Sequence, residues 1–314
     1  MTIIDSDHDQ TGVAARLAPT VRSTARRILK RMVTKAGIGA FVTRGRTPLD
    51  LRGQGVTPLD ALYVAGGRPV ILDIPVERCR TFRCIAYSLD RETANPFYHT
   101  VRAIAGGATD RYETSPLQRF YSAWQPRSAA DLMGLPDHPI LSDLPPVSVR
   151  PWRNQMPEEA LASTLKAVAR DNAQHGHALS AADGSPAYGP VSQAKGELEF
   201  ARLTAVTTSI STKGYSRHPG RDGDIGGRLL VRGTDWAVDI QGGQHRAPTL
   251  AALGWTHVPI RLDLDLPGGV TRRDDVQAWP LVRQGVFSTN DAITLFNRMI
   301  EGRPPPGASA LATE

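Results

Sequence analysis

The stretch from Phe200 to Leu262 constrains the fold more than any other part of the chain. Leu203, Val206 and Ile210 recur at helical spacing and Gly214 follows as a stop signal, which predicts a helix over 200–213. Arg228–Arg232 reads as a short apolar strand, Gly233-Thr234-Asp235 as a turn, and Trp236–Ile240 as the returning strand of a hairpin. Gln241-Gly242-Gly243-Gln244-His245-Arg246 then leads into a short helix with Pro248 in its first turn and Gly254 after its end. His257–Leu262 is one more strand. Helices interleaved with a hairpin in this order predict an α+β fold in the C-terminal half.

The junction at 241–246 is the chemically pointed part of that stretch. Two glycines permit a tight turn and a close backbone approach. A helix N-terminus offers unpaired N–H groups and the positive end of a dipole, for which an anion is the natural occupant. Gln244, His245 and Arg246 would add side-chain donors around the same point, with Arg246 as a fork for phosphate oxygens. The competing reading is a plain strand-to-helix turn with Arg246 in a surface ion pair.

Elsewhere the chain divides by composition. Residues 1–46 include an acid-free, basic window from Gln10 onward, in which Val21, Ala25, Ile28, Met32 and Ala36 keep helical spacing. That window predicts either a basic amphipathic helix on an anionic membrane or nucleic acid, through residues 16–46, or a solvated helix face. With 37 basic and 31 acidic residues among 314, the net charge of +6 allows an anionic partner without naming one. Residues 47–133 read as a mixed α/β region, with a buried strand at 69–76 and a dense run of aromatics from Phe82 to Trp124. Those aromatics predict a core, or a stacking surface for a sugar or base. Residues 134–158 are Pro-rich and read as a linker, 159–300 as the second domain with a helix from about Pro157, and 301–314 as a disordered tail. Cys79 and Cys84 are too few for a disulfide framework or a metal site, so no metal ligand is assigned. No run of apolar residues is long enough for a membrane span, and the expectation is a cytoplasmic protein.

The segment from about Tyr188 to Leu262 resembles the ParB/sulfiredoxin superfamily. The shared features are a Ser-Ile helix ending in Lys-Gly, the hairpin, a Gly-x-His-Arg turn at Gly243–Arg246, a helix ending in Leu253-Gly254, and a Val258-Pro259 strand. The resemblance implies a nucleotide-binding domain in which Gly242, Gly243, Gln244, His245 and Arg246 hold the phosphates of ATP or CTP with Mg²⁺. Gln244 stands where sulfiredoxins carry their reactive cysteine, and too little chain follows Leu262 for the DNA-binding part of partitioning proteins. The kinase-like members are the nearer comparison, and they imply a phosphotransferase acting on a small hydroxylated acceptor such as a sugar or surface-glycan precursor. In those relatives a glutamate ahead of the Ser-Ile helix is the base, which points to Glu197 or Glu199. Ser192, Lys195 and Asp239 become candidate ligand contacts, with Lys195 or Arg202 neutralising the transferred phosphoryl group. The alternative is a nucleotide-gated DNA- or membrane-binding module without small-molecule kinase activity. A homodimer is compatible with either.

Overall fold

A computed structural model describes residues 47–173, 178–217, 223–265 and 268–309. The basic segment 1–46, with its expected amphipathic helix, lies outside the described residues. The described chain from Thr47 onward is one compact unit built on a mixed sheet.

The strands are β1 (Leu49–Asp50), β2 (Val70–Pro75), β3 (Cys79–Arg80), β4 (Ile225–Arg232), β5 (Asp235–Gly242), β6 (His257–Leu262) and β7 (Val270–Arg272). Their order is β1-β2-β6-β4-β5-β3, with β7 also pairing β4. β4 and β5 form the expected hairpin, with Leu229 opposite Val238 and Arg228 opposite Asp239. β2 runs antiparallel to β6, and β3 runs parallel to β5 so that Arg80 faces Asp239. The early strands and the late hairpin are therefore one sheet, and the boundary expected near residues 134–158 does not separate two domains.

Side-chain alternation assigns the two faces of that sheet. Leu229, Val231, Val238 and Ile240 point into one apolar cluster, together with Leu72, Ile74, Val258 and Ile260. The helix Arg246–Ala252 covers this cluster with Ala247 and Leu250. Leu230 and Ala237 face the other way, into a larger cluster that contains Phe97, Phe120, Tyr121, Trp124 and Phe296. The aromatic run thus forms core.

The helices are α1 (Pro58–Val64), α2 (Pro96–Ala105), α3 (Pro116–Ala123), α4 (Ala129–Met133), α5 (Pro139–Ser142), α6 (Pro157–Ala173), α7 (Gln193–Lys213), α8 (Arg246–Ala252), α9 (Pro280–Arg283) and α10 (Thr289–Glu301). α7 starts seven residues earlier than its apolar spacing suggests, because the Ser192 side chain caps it by accepting from the Lys195 N–H. Gly196 lies inside it against Tyr112, where a Cβ would come within 2.1 Å of the ring.

Two expectations need correction. The Pro-rich segment 134–158 is not a linker: Leu141, Val147, Val149 and Trp152 are buried in the larger cluster, and the prolines punctuate short turns rather than a flexible tether. The tail is not disordered as far as residue 309. Glu301 ends α10, Ala308 is buried, and its carbonyl accepts from the Tyr87 hydroxyl. Residues 310–314 fall outside the described residues. Among the described residues no helix is long and apolar enough to cross a membrane.

Candidate functional site

The turn between β5 and α8 is built as the glycines suggest, but its side chains do not converge. Gly243 has φ +84°, a conformation that favours glycine, and a Cβ there would meet Ile225 at 2.9 Å. Gln244 donates to the Ile240 carbonyl (2.6 Å) and accepts from the Phe82 N–H (3.1 Å). His245 bonds Glu199 through Nε2 (2.6 Å), its ring 4.9 Å from that of Phe97. Arg246 donates to the Gly223 carbonyl (2.8 Å). Three donors expected around one anion are spent on three different neighbours. α8 has seven residues, and its N-cap residue, His245, makes no side-chain cap bond.

Glu199 is the centre of a buried ionic network. Its Oε1 accepts from Lys195 (2.5 Å) and Arg202 (2.6 Å), and its Oε2 meets His245. Lys195 and Glu199 are both fully buried, and Lys195 also donates to Asn172 (2.8 Å). Helical spacing of four and three residues stacks Lys195, Glu199 and Arg202 on one side of α7. Burial pushes the Glu199 carboxyl upward, but the hydrogen bond from His245 and the charges of His245, Lys195 and Arg202 outweigh it and hold the pKa at about 2. A carboxylate with both oxygens engaged and so low a pKa is a poor base at neutral pH. Glu199 therefore does not stand as the free base expected of it. Glu197 lies two residues away, about 200° around the helix, and is exposed, accepting from Gln193 (2.9 Å). Ser192 caps its helix and Lys195 is enclosed beneath Glu199, so neither is placed as a ligand contact.

A cavity of about 200 Å³ opens beside this turn. Gln241, Gln244 and His245 form one wall, the rings of Phe82, Phe97 and Tyr188 form others, and Thr164 and Val168 of α6 close it. Phe82 and Arg83, which line it, have φ of 55° and 54°, and Ala86 has φ 60°. Non-glycine residues in the left-handed region cost about 1–3 kcal/mol each and concentrate at functional sites. Gln244 clamps this strained loop to the turn through the Phe82 N–H.

No family model, no curated protein and no solved structure matches the chain. Its site is therefore read from its own residues.

Asp239 is the one expected contact that the structure leaves unsatisfied. It is 1% exposed; Oδ2 accepts from Gln241 (2.5 Å), while Oδ1 has no partner. Burial raises its pKa to about 6, against the opposing charges of Arg150, Arg83, Arg228 and Arg153. Those arginines escape any local reading, since they come from three separate segments and share no spacing. Among the described residues no group of three or more His, Cys, Asp or Glu side chains is placed to hold a metal ion. Cys79 and Cys84 are buried thiols, pushed by burial to about 12 and about 11.

Proposed function

We propose that the chain binds a nucleoside triphosphate of the ATP or CTP class, with its ring in the cavity beside residues 241–245. The observation that carries this reading is the position of that cavity. It abuts the same Gln241–His245 turn on which the resemblance to the ParB/sulfiredoxin superfamily rests, and it is walled by aromatic rings. Its volume of about 200 Å³ lies below the about 300–1,000 Å³ of sites that enclose a drug-sized ligand. It suits one ring system, with the rest of the ligand outside. Among the described residues no three His, Cys, Asp or Glu side chains are grouped to hold a metal ion, so a Mg²⁺ would be held chiefly by the phosphates of the ligand, and the reading contains no step through it.

Thermal shift of the full chain with ATP and CTP tests the reading. At about 100 times the dissociation constant a ligand adds about 2.7 kcal/mol to stability, so Tm should rise. Thr164→Trp, at a half-buried position on the cavity wall, should abolish that rise without lowering the Tm of the unliganded protein. Nucleotides that leave wild type unmoved, or that shift Thr164→Trp equally, overturn it.

Transfer to a small hydroxylated acceptor is the enzymatic extension of the reading. It requires a base other than Glu199 as it stands. The alternative of a DNA- or membrane-binding module rests on residues 16–46, outside the described chain, and no observation favours it.

A further inference from the structure

Four arginines gather on the sheet face next to the cavity. Arg228 stands on β4 in register with Asp239 on β5. Arg83 follows β3, and Arg150 and Arg153 come from the chain between α5 and α6. All four are half-buried, so their side chains remain within reach of solvent rather than sealed in the core. Arg83 also lines the cavity, and Arg150 donates to Gln241 Oε1 (2.8 Å) on the cavity wall. The arginine cluster thus adjoins the cavity.

The cluster carries four guanidinium charges, offset in part by Asp239 and, at Arg228, by Asp263. Burial lowers the pKa of Arg83, Arg153 and Arg228, and the charge of Arg150 acts in the same direction on each. Arg153 is brought down to about 9. Among the described residues none of the four is ion-paired with a carboxylate. Arg228 donates to the Gly268 carbonyl, while the side chains of Arg83 and Arg153 make no hydrogen bond. Asp239, with its unpartnered Oδ1, is enclosed with them. Other arginines of the same fold are treated differently. Arg78, Arg217 and Arg232 pair with carboxylates, and Arg80 and Arg298 donate to several backbone carbonyls.

Clustered, partly desolvated guanidinium forks that no carboxylate pairs, two of them with no hydrogen-bond acceptor among the described residues, are complementary to an oxyanion with several charged oxygens. We propose that Arg83, Arg150, Arg153 and Arg228 form the binding site for the polyphosphate group of a small ligand whose ring occupies the adjoining cavity. The ring half rests on the nucleotide reading above; the anion half stands on the arginines alone.

Isothermal titration of the full chain with sodium tripolyphosphate, then with ATP and CTP, separates the two halves. Arg83→Gln and Arg153→Gln should each weaken tripolyphosphate binding tenfold or more. Thr164→Trp should leave tripolyphosphate binding unchanged while removing the extra affinity of ATP or CTP. Arg153→Gln should also raise the Tm of the unliganded protein, because it relieves repulsion within the cluster; this shows that the variant is folded. Wild type that does not bind tripolyphosphate, both glutamine variants binding it as tightly as wild type, or a lowered Tm for Arg153→Gln overturns the anion site. Nucleotides that bind no more tightly than tripolyphosphate overturn the nucleotide reading and leave the anion site standing.

Discussion

Glu199 and Asp239 are both buried carboxylates among cations, and they are handled in opposite ways. Around Glu199, lysine, arginine and histidine donors lie within 2.5–2.6 Å and occupy both oxygens. Around Asp239, four arginines approach without an ion pair, and one oxygen remains without a partner. The first pKa falls to about 2 and the second rises to about 6. Saturated, the Glu199 network locks α7 to the turn at His245 and to the end of α6. Unsaturated, the Asp239 region holds charge that an incoming anion would match. A buried ion network whose acceptors are all filled is a structural device, whereas one with surplus donors is a receptor.

Substitution of each carboxylate should break this contrast most visibly. Glu199→Gln leaves Lys195 buried beside a neutral amide, and removing one member of a buried pair costs about 3–5 kcal/mol. Asp239→Asn should instead be neutral or stabilising at pH 8, since it replaces a carboxylate whose charged form burial disfavours. Urea denaturation of both variants measures the two effects, and equal losses would erase the distinction.

The pH dependence should sharpen it. The folded pKa of Glu199 lies below its ordinary 4.5, so its contribution is complete above 4.5 and disappears as pH falls toward about 2. That of Asp239 lies above 3.8, so its penalty is absent below 3.8, grows from there to about 6, and is full at higher pH. Each shift corresponds to about 3 kcal/mol at most. Denaturant titrations across pH 3–8 should therefore show the advantage of Asp239→Asn over wild type shrinking as pH falls below 6. The deficit of Glu199→Gln should hold to about pH 4.5 and shrink only below it.

The smallest effect joins the two regions. Gln244→Ala removes the clamp between the turn and the Phe82–Arg83 loop, at a cost of about 1–3 kcal/mol for the groups left unbonded. Because that loop carries Arg83, tripolyphosphate affinity should fall modestly as well, and unchanged affinity would separate the turn from the arginine cluster.

Local pattern carried much of the fold. Strand β2, the β4–β5 hairpin, the stop at Gly214 and strand β6 follow from apolar spacing and turn residues, because each depends on near neighbours. The Pro-rich segment 134–158 misled for the same reason: prolines report a broken helix or strand, not whether the residues between them are buried, and Val147, Val149 and Trp152 are. In the candidate site, the Gly243 turn was legible from its glycine, and Asp239 from its place before the turn. The roles of Gln244, His245 and Arg246 were not, since their partners Phe82, Glu199 and Gly223 lie outside the turn.

By itself, then, the chain's order of residues determined which segments extend, which coil and where the backbone bends tightly, since those choices are made within a few residues. Tertiary structure alone decided that β3 lies beside β5, and so which charges meet. Arg83, Arg150, Arg153 and Arg228 span 145 positions of sequence and become neighbours only when the sheet is assembled. Electrostatic surplus belongs to that assembled face, because a cation is paired or unpaired only with respect to what folding brings within reach.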